Sequence, residues 1–203
     1  MRVILVVCAV AAELQGFARD GVTVLETGVG PIDAALATSR ALARGTYRAV
    51  INAGIGGGFR GRAAVGDVVI VAAEHYVELG REDGEPLVLP GGRTLATIAT
   101  SSAALLAAAR ERVGEAAIGS GVTSATITTS DARAAMLNAR YAPSVESMEG
   151  FAVLHAADAA GVPAIEVRGI SNLVGDRAHS GWDFRSGSAA ALRGLDALLD
   201  IIS

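Results

Sequence analysis

The stretch Val22 to Gly54, VTVLETGVGPIDAALATSRALARGTYRAVINAG, decides the fold class. Val22 to Thr27 is a short β-branched run of the kind that forms a buried strand. Gly28-Val29-Gly30 supplies a tight turn, and Pro31 stands where a first helical residue can do without its N–H. Pro31 to Ala43 then reads as an Ala-rich helix and Ala49 to Asn52 as the next strand. Strand, helix and strand in that order mark an α/β protein with a crossover connection.

The same alternation extends in both directions. Arg2 to Val10, Asp67 to Val71, Ala117 to Val122 and Ala164 to Ile170 are further buried strands, and Ser144 to Ser147 is a short one. Helices are expected at about Ser101 to Arg112, Asp131 to Asn138, Met148 to Ala160 and Ser186 to Ile202. The sheet should therefore be largely parallel. Only Glu78 to Thr94, with Gly80, Gly84, Pro86, Pro90 and Gly91-Gly92, is polar and aperiodic. It reads as an irregular excursion too short to be a second domain, so residues 1–203 are expected to form one. Met1-Arg2 followed by Val3 to Ala12 also resembles a short signal peptide with an Ala9-Val10-Ala11 cleavage triplet. Its single charge, its β-branched content and the lack of a polar spacer favour a first strand instead.

Composition narrows the function. The 203 residues are 51% apolar and 19% charged, and 17 basic residues, all Arg, face 21 acidic ones for a net charge of −4. A nucleic-acid backbone binder is disfavoured, no apolar run is long enough for a membrane span, and a small-molecule ligand is the better expectation. The single Cys8 excludes an internal disulfide and a cysteine zinc site, and fits a cytoplasmic protein. His75, His155 and His179 have no metal-ligand spacing, so no metal is expected. There is no nucleophile elbow, and without any Lys there is no P-loop.

Four features could carry chemistry. Gly56-Gly57-Gly58-Phe59-Arg60-Gly61 matches G-x-G-x-x-G, but Arg62 to Asp67 leads into a strand rather than a helix. The dinucleotide reading therefore fails, leaving a side-chain-free turn at a strand's carboxyl end. Glu13 follows the first strand as an isolated carboxylate, either at a site or on the surface. Glu146 and Glu149 bracket the entry to a helix, where one of them could simply favour the helix N-terminus. Arg168-Gly169-Ile170-Ser171-Asn172 ends the last strand in polar residues and is followed by Asp176-Arg177, His179 and Trp182-Asp183, a cluster placed as binding sites are.

Taken in order, Ala9 to Glu13, Thr27 to Gly30, Asn52 to Gly58, Val65 to Val69, Met148-Glu149-Gly150 and Arg168 to Asn172 resemble the nucleoside phosphorylase and nucleosidase superfamily. The series is similar to methylthioadenosine nucleosidases and more so to the futalosine hydrolase branch, whose mark is Ile170 to Arg177 with Trp182-Asp183. The resemblance implies a three-layer α/β/α fold around a twisted, mixed, mostly parallel sheet. It also implies cofactor-free hydrolysis of a purine N-ribosidic bond, with futalosine yielding hypoxanthine on the futalosine route to menaquinone, by a homodimer or higher homo-oligomer. Glu13 matches the carboxylate that activates water, Glu149 the one that accepts from the ribose hydroxyls, and Met148 the residue beneath the sugar. Gly54, Ile55, Gly56 and Gly57 would lie along the nucleoside, with Ala125, Thr126 and Ile127 at the base.

Asn172 stands where adenine-specific relatives carry an Asp that protonates N7. An amide has no proton to give, which favours a better leaving base such as hypoxanthine, whose O6 and N7 match the two amide N–H groups. The benzoate carboxylate of futalosine calls for a cation, with Arg177 first, then Arg81, and His75 and His179 after them. The competing readings are a phosphorylase, opposed by the charge of Glu13, an adenine-directed nucleosidase, opposed by Asn172, and a silent nucleoside-binding module, opposed by the Glu13 and Glu149 pair.

Overall fold

Alternation along the segment Val3–Cys8 decides which layer lies on which side. Ile4, Val6 and Cys8 enter one apolar cluster, and Leu5 and Val7 enter another. The computed structural model describes residues 3–114, 117–175 and 181–202. Its strands are β1 (Val3–Cys8), β2 (Val22–Glu26), β3 (Tyr47–Gly58), β4 (Val68–Tyr76), β5 (Ile98–Thr100), β6 (Ile118–Thr123), β7 (Val145–Ser147) and β8 (Ala164–Leu173). Its helices are α1 (Pro31–Arg44), α2 (Ala103–Val113), α3 (Asp131–Tyr141), α4 (Gly150–Ala159) and α5 (Phe184–Ile202). Leu106 and Ala109 of α2 and Leu195, Leu198 and Leu199 of α5 cover one face of the sheet. Ala34 of α1 and Phe151 to Ala157 of α4 cover the other. The result is the three-layer α/β/α arrangement, with a mixed sheet whose pairings are mostly parallel.

The sheet also closes on itself. β8 pairs parallel with β3 and antiparallel with β4, β4 pairs with β6, β6 with β7, and β7 returns antiparallel to β3. β3 therefore touches β1, β8 and β7, and that is possible only because it continues through Gly58. Here the turn expected from Gly56 to Gly61 is corrected: the strand continues through Gly58. Side chains are missing there because neighbours occupy their space. A Cβ on Gly54 would lie 2.7 Å from Glu13 Oε1 and 2.8 Å from Arg168 Nη1, and one on Gly56 would lie 2.5 Å from Val145 Cγ2.

The remaining elements fall where patterning puts them. Pro31 opens α1, and α5 buries Gly187, Ala190, Ala191, Gly194, Leu195 and Leu198 at the three- and four-residue spacing of an amphipathic helix. β5 is an addition, since three residues carry too little pattern to be noticed. Glu78 to Thr94 is irregular as expected, with one isolated bridge between Val88 and Thr94.

Helix α5 packs against β8 with almost no spacing. A Cβ on Gly169 would fall 2.0 Å from Gly187 O and 2.4 Å from Ala191 N, backbone atoms that cannot rotate away. Gly169→Ala should therefore destabilise the protein by about 3 kcal/mol or more, near the upper end for overpacked cores. Chemical denaturation of the two proteins checks this.

Candidate active site

At the carboxyl ends of the parallel strands β1, β3 and β8, where open α/β sheets place ligands, lies a cavity of about 280 Å³. Its walls combine Val29, Ile55, Ile127, Met148, Trp182 and Phe184 with Glu13, Glu146, Glu149, Ser171 and Asn172. Apolar walls with a few convergent polar groups are the usual form of a small-molecule site. Trp182 is 52% exposed and Phe184 37% exposed, so the two aromatics stand at its mouth.

Glu13 is buried, not on the surface. The 3-10 turn after β1, Ala11–Leu14, folds the chain back so that Oε2 accepts from Ala9 N at 3.1 Å and Val10 N at 3.2 Å. Oε1 accepts from Ile55 N on β3 at 2.9 Å. Three backbone donors thus fix the carboxylate at the cavity wall. Burial raises its pKa above the ordinary value, against the lowering effects of Arg168 and of the Ile55 and Val10 N–H groups. A buried carboxylate of raised pKa is a suitable proton acceptor near neutral pH.

Glu149 directly precedes α4, yet its side chain does not cap that helix. Oε1 instead accepts from Gly30 N at 3.0 Å, and Oε2 lies 3.6 Å from Arg168 Nη1. Gly30 sits at φ +98°, a backbone region that suits glycine and aims its N–H across to Glu149. Glu146 does not cap the helix either. It accepts from Thr128 N at 2.9 Å and from Thr128 Oγ1, tying down the segment that carries Ile127. Burial raises its pKa as well. Arg133 secures the same segment through Thr128 Oγ1, Ser124 Oγ and Glu78.

Asn172 follows an irregularity in the β3–β8 register: Gly56 faces Ile170 and Gly57 faces Asn172, so Ser171 is extruded. Ser171 Oγ donates to Asn172 Oδ1 at 2.9 Å, which fixes the amide with its nitrogen as the free-facing end. One of its N–H groups is already used on Leu173 O at 3.2 Å. The expectation of two N–H groups for the base is thus reduced to one in this arrangement.

Arg168 belongs to the last motif of the series but carried no role of its own in the sequence. It is 1% exposed, and its guanidinium lies among Glu13, Glu149 and Glu166. Nε donates to Glu166 Oε1 at 2.7 Å. Burial alone would lower its pKa, but the three carboxylates hold it above the ordinary range. The available signal was Glu166-x-Arg168 inside an apolar strand, since the period of two puts both charges on one buried face.

Other expected residues sort plainly. Ile55, Gly56, Gly57, Ile127 and Met148 line the cavity. Gly54 does not; it lies behind the wall, against Glu13 and Arg168. Thr126 does not line it either, and its carbonyl accepts from Ser124 Oγ at 2.6 Å. Arg81 pairs with Asp83 and, together with His75, lines a separate cavity of about 520 Å³, which removes both from the candidates for a tail carboxylate. Arg177 and His179 lie outside the described residues. Arg60 belongs to another hollow, and exposed Arg62 bonds to Asn138, so neither supplies a phosphate site here. No described lining residue of the central cavity is a cation.

Comparison with known proteins agrees with this geometry. The chain is 40% identical over 181 residues to the futalosine hydrolase of Streptomyces coelicolor, covering 85% of this chain and 75% of that one. It is 31% identical over 172 residues to the 5'-methylthioadenosine/S-adenosylhomocysteine nucleosidase of Bacillus subtilis, covering 80% and 72%. Among solved structures, the futalosine hydrolase of Helicobacter pylori superposes with a TM-score of 0.82 at 20% identity, covering 98% of this chain and 97% of that one. The family model of the phosphorylase superfamily matches residues 10–202, which span every wall of the cavity but part of β1's approach to it. On the strength of that match, and of a cavity built where the sheet's parallel strands end, the chain belongs to the phosphorylase superfamily.

Proposed function

We propose that this protein hydrolyses the N-ribosidic bond of futalosine, releasing hypoxanthine. The observation that carries the reading is the buried Glu13 carboxylate, held by three backbone N–H groups at the wall of a cavity that Glu149 also lines. Hydrolysis of this bond passes through a ribosyl cation in which C1' is electron-poor, so it needs a base for water and negative potential around the ring. Glu13 takes a proton from water as the remaining hydroxyl bonds to C1'. The C1'–N9 electron pair leaves with the purine. Glu149 accepts from the ribose hydroxyls, Met148 packs beneath the sugar, and Ile127 borders the base. Asn172 offers an N–H to the departing purine without transferring a proton, which suits hypoxanthine because O6 shares the developing charge.

Water, rather than phosphate, is the acceptor because the described cavity wall carries carboxylates and no cation, and an anion there would be repelled. The relatedness to futalosine hydrolases at up to 40% identity supports futalosine as the substrate. Arg177 is assigned the benzoate tail on its chemistry. The reading includes a place on the futalosine route to menaquinone, a homodimer or higher homo-oligomer as the working unit, one nucleosidase domain over the whole chain and a cytoplasmic location. No helix among the described residues is long and apolar enough to cross a membrane.

Four outcomes are expected. Purified protein should release hypoxanthine from futalosine at the same rate with and without phosphate, and chromatography detecting ribose 1-phosphate in the products would overturn hydrolysis. Glu13→Gln should keep substrate affinity and lose at least 10²-fold in kcat, the size of a general-base contribution. In the wild type, kcat should decline as pH falls through the raised pKa of Glu13, that is, at a higher pH than an exposed carboxylate would give, and a pH–rate profile reads this directly. Asn172→Asp should raise the ratio of kcat/KM for aminofutalosine over futalosine, since a protonated carboxyl can donate to N7 and, once ionised, accept from N6. Steady-state kinetics on both substrates measures it.

A further inference from the structure

Behind Arg168, away from the cavity, lie two more buried carboxyl groups that the reaction described above does not use. Glu74 on β4 and Glu166 on β8 are both fully buried, and the charge of Glu166 acts on the Glu74 carboxyl group. Each is tied down on its outer side. Phe151 N, in the first turn of α4, donates to Thr123 Oγ1 at 2.7 Å, and Thr123 Oγ1 donates to Glu74 Oε2 at 2.8 Å. Arg168 Nε donates to Glu166 Oε1 at 2.7 Å.

The two inner oxygens, Glu74 Oε1 and Glu166 Oε2, have no hydrogen-bond donor among the described residues. Both lie 2.6 Å from the point that a Cβ on Gly150 would occupy, so they border the same gap. One proton between them satisfies both. Two ionised carboxylates at one gap, cut off from water and sharing a guanidinium with Glu149 and Glu13, would carry charge that nothing offsets. A metal ion is not the missing partner, because no group of three acidic, His or Cys side chains among the described residues is placed to hold one.

We propose that Glu74 is a neutral carboxylic acid that donates its proton to Glu166, and that this pair positions and neutralises Arg168, leaving the negative charge of Glu13 and Glu149 free to face the ribose. The catalytic part of this rests on the hydrolase reading; the proton sharing does not. Arg168 reaches Glu149 at 3.6 Å but is bonded more closely to Glu166. Were Glu166 uncharged, the guanidinium would turn its full charge on the two carboxylates at the cavity and oppose a developing ribosyl cation.

The groups that face this network are few. Glu13 comes from the turn after β1, Glu149 from the approach to α4, and the neutral amide of Asn52 from β3. Cys8 on β1 faces Glu13 as a neutral thiol whose pKa burial pushes up to about 12, with Glu26 of β2 beyond it. Burial and mutual repulsion raise the pKa of Glu74 well above its ordinary value, in line with the single proton.

The test uses the intact protein in three measurements. Infrared spectroscopy in D2O near neutral pH should show a protonated carboxylic acid band in the wild type that Glu74→Gln abolishes. Glu74 has a raised pKa only when folded, so folding takes up a proton above the unfolded value of 4.5, and that penalty is absent below it and grows as pH rises. Glu74→Gln donates an N–H in place of that proton, so its melting temperature relative to wild type should increase from about pH 4.5 to about pH 8. Glu166→Gln should lower kcat at least tenfold with KM changed less. It should also move the acidic limb of the pH–rate profile to lower pH, because an uncompensated Arg168 favours ionised Glu13. Absence of the acid band, a Glu74→Gln protein less stable than wild type across that range, or a Glu166→Gln enzyme with unaltered kcat and pH profile would each overturn the proposal. If Glu166→Gln does not fold, the first two measurements decide alone. A wild type inactive on purine nucleosides would refute the hydrolase reading and leave the infrared result standing.

Discussion

The guanidinium of Arg168 is the point on which the site depends. It is a full charge removed from water, and such a charge persists only where opposite charges surround it. Glu166 bonds its Nε, Glu149 lies across from Nη1, and Glu13 borders with it the space where Gly54 lacks a side chain. These partners come from the strand of Arg168 itself, from the approach to α4 and from the turn after β1. A single side chain therefore fixes the relative placement of three segments that are distant in sequence. Replacing Arg168 by an apolar residue would strand carboxylates in the interior, and the loss would be felt in folding before it was felt in turnover.

The backbone arrangement follows from accommodating that charge. β3 has to pass within reach of Glu13 and Arg168 and also to pair with β8 on one side and β7 on the other. Only a strand without side chains at Gly54, Gly56, Gly57 and Gly58 can do this, which explains a glycine-rich run that is poor in intrinsic β-propensity yet stands at the centre of the sheet. Closure of the sheet through β7 then brings Glu146, Ser147, Met148 and Glu149 to the end of β1 in one stroke. The extruded Ser171 turns Asn172 into the same space. Cavity and closed sheet are thus one construction.

The layers were legible from β-branched runs and Ala-rich helices because burial on both faces leaves that pattern unmixed. Gly56 to Gly58 were misread as part of a turn because local preference and tertiary need disagree there, and only the three-dimensional neighbours reveal which prevails. Glu13, Glu149 and Asn172 stood out by their place in a series of motifs; their hydrogen bonds did not, since the donors are backbone groups of Ala9, Val10, Ile55 and Gly30 that no side-chain pattern reports. Arg168, Glu166 and Glu74 carried a signal of a different kind, charged residues inside apolar strands. That signal identifies a buried charge but not its partner.

The floor of the cavity and its rim differ in how far they can diverge by mutation. Gly56 and Gly57 are hemmed in by Val145 and Val174, so a larger residue there has nowhere to go. Ile127, Trp182 and Phe184, at 39%, 52% and 37% exposure, border solvent, so a change of size there meets less resistance. Selection acting on this scaffold can therefore retune what the mouth of the cavity admits while leaving its inner end untouched. Descendants of such a protein would inherit one chemistry and diversify in the molecules to which they apply it.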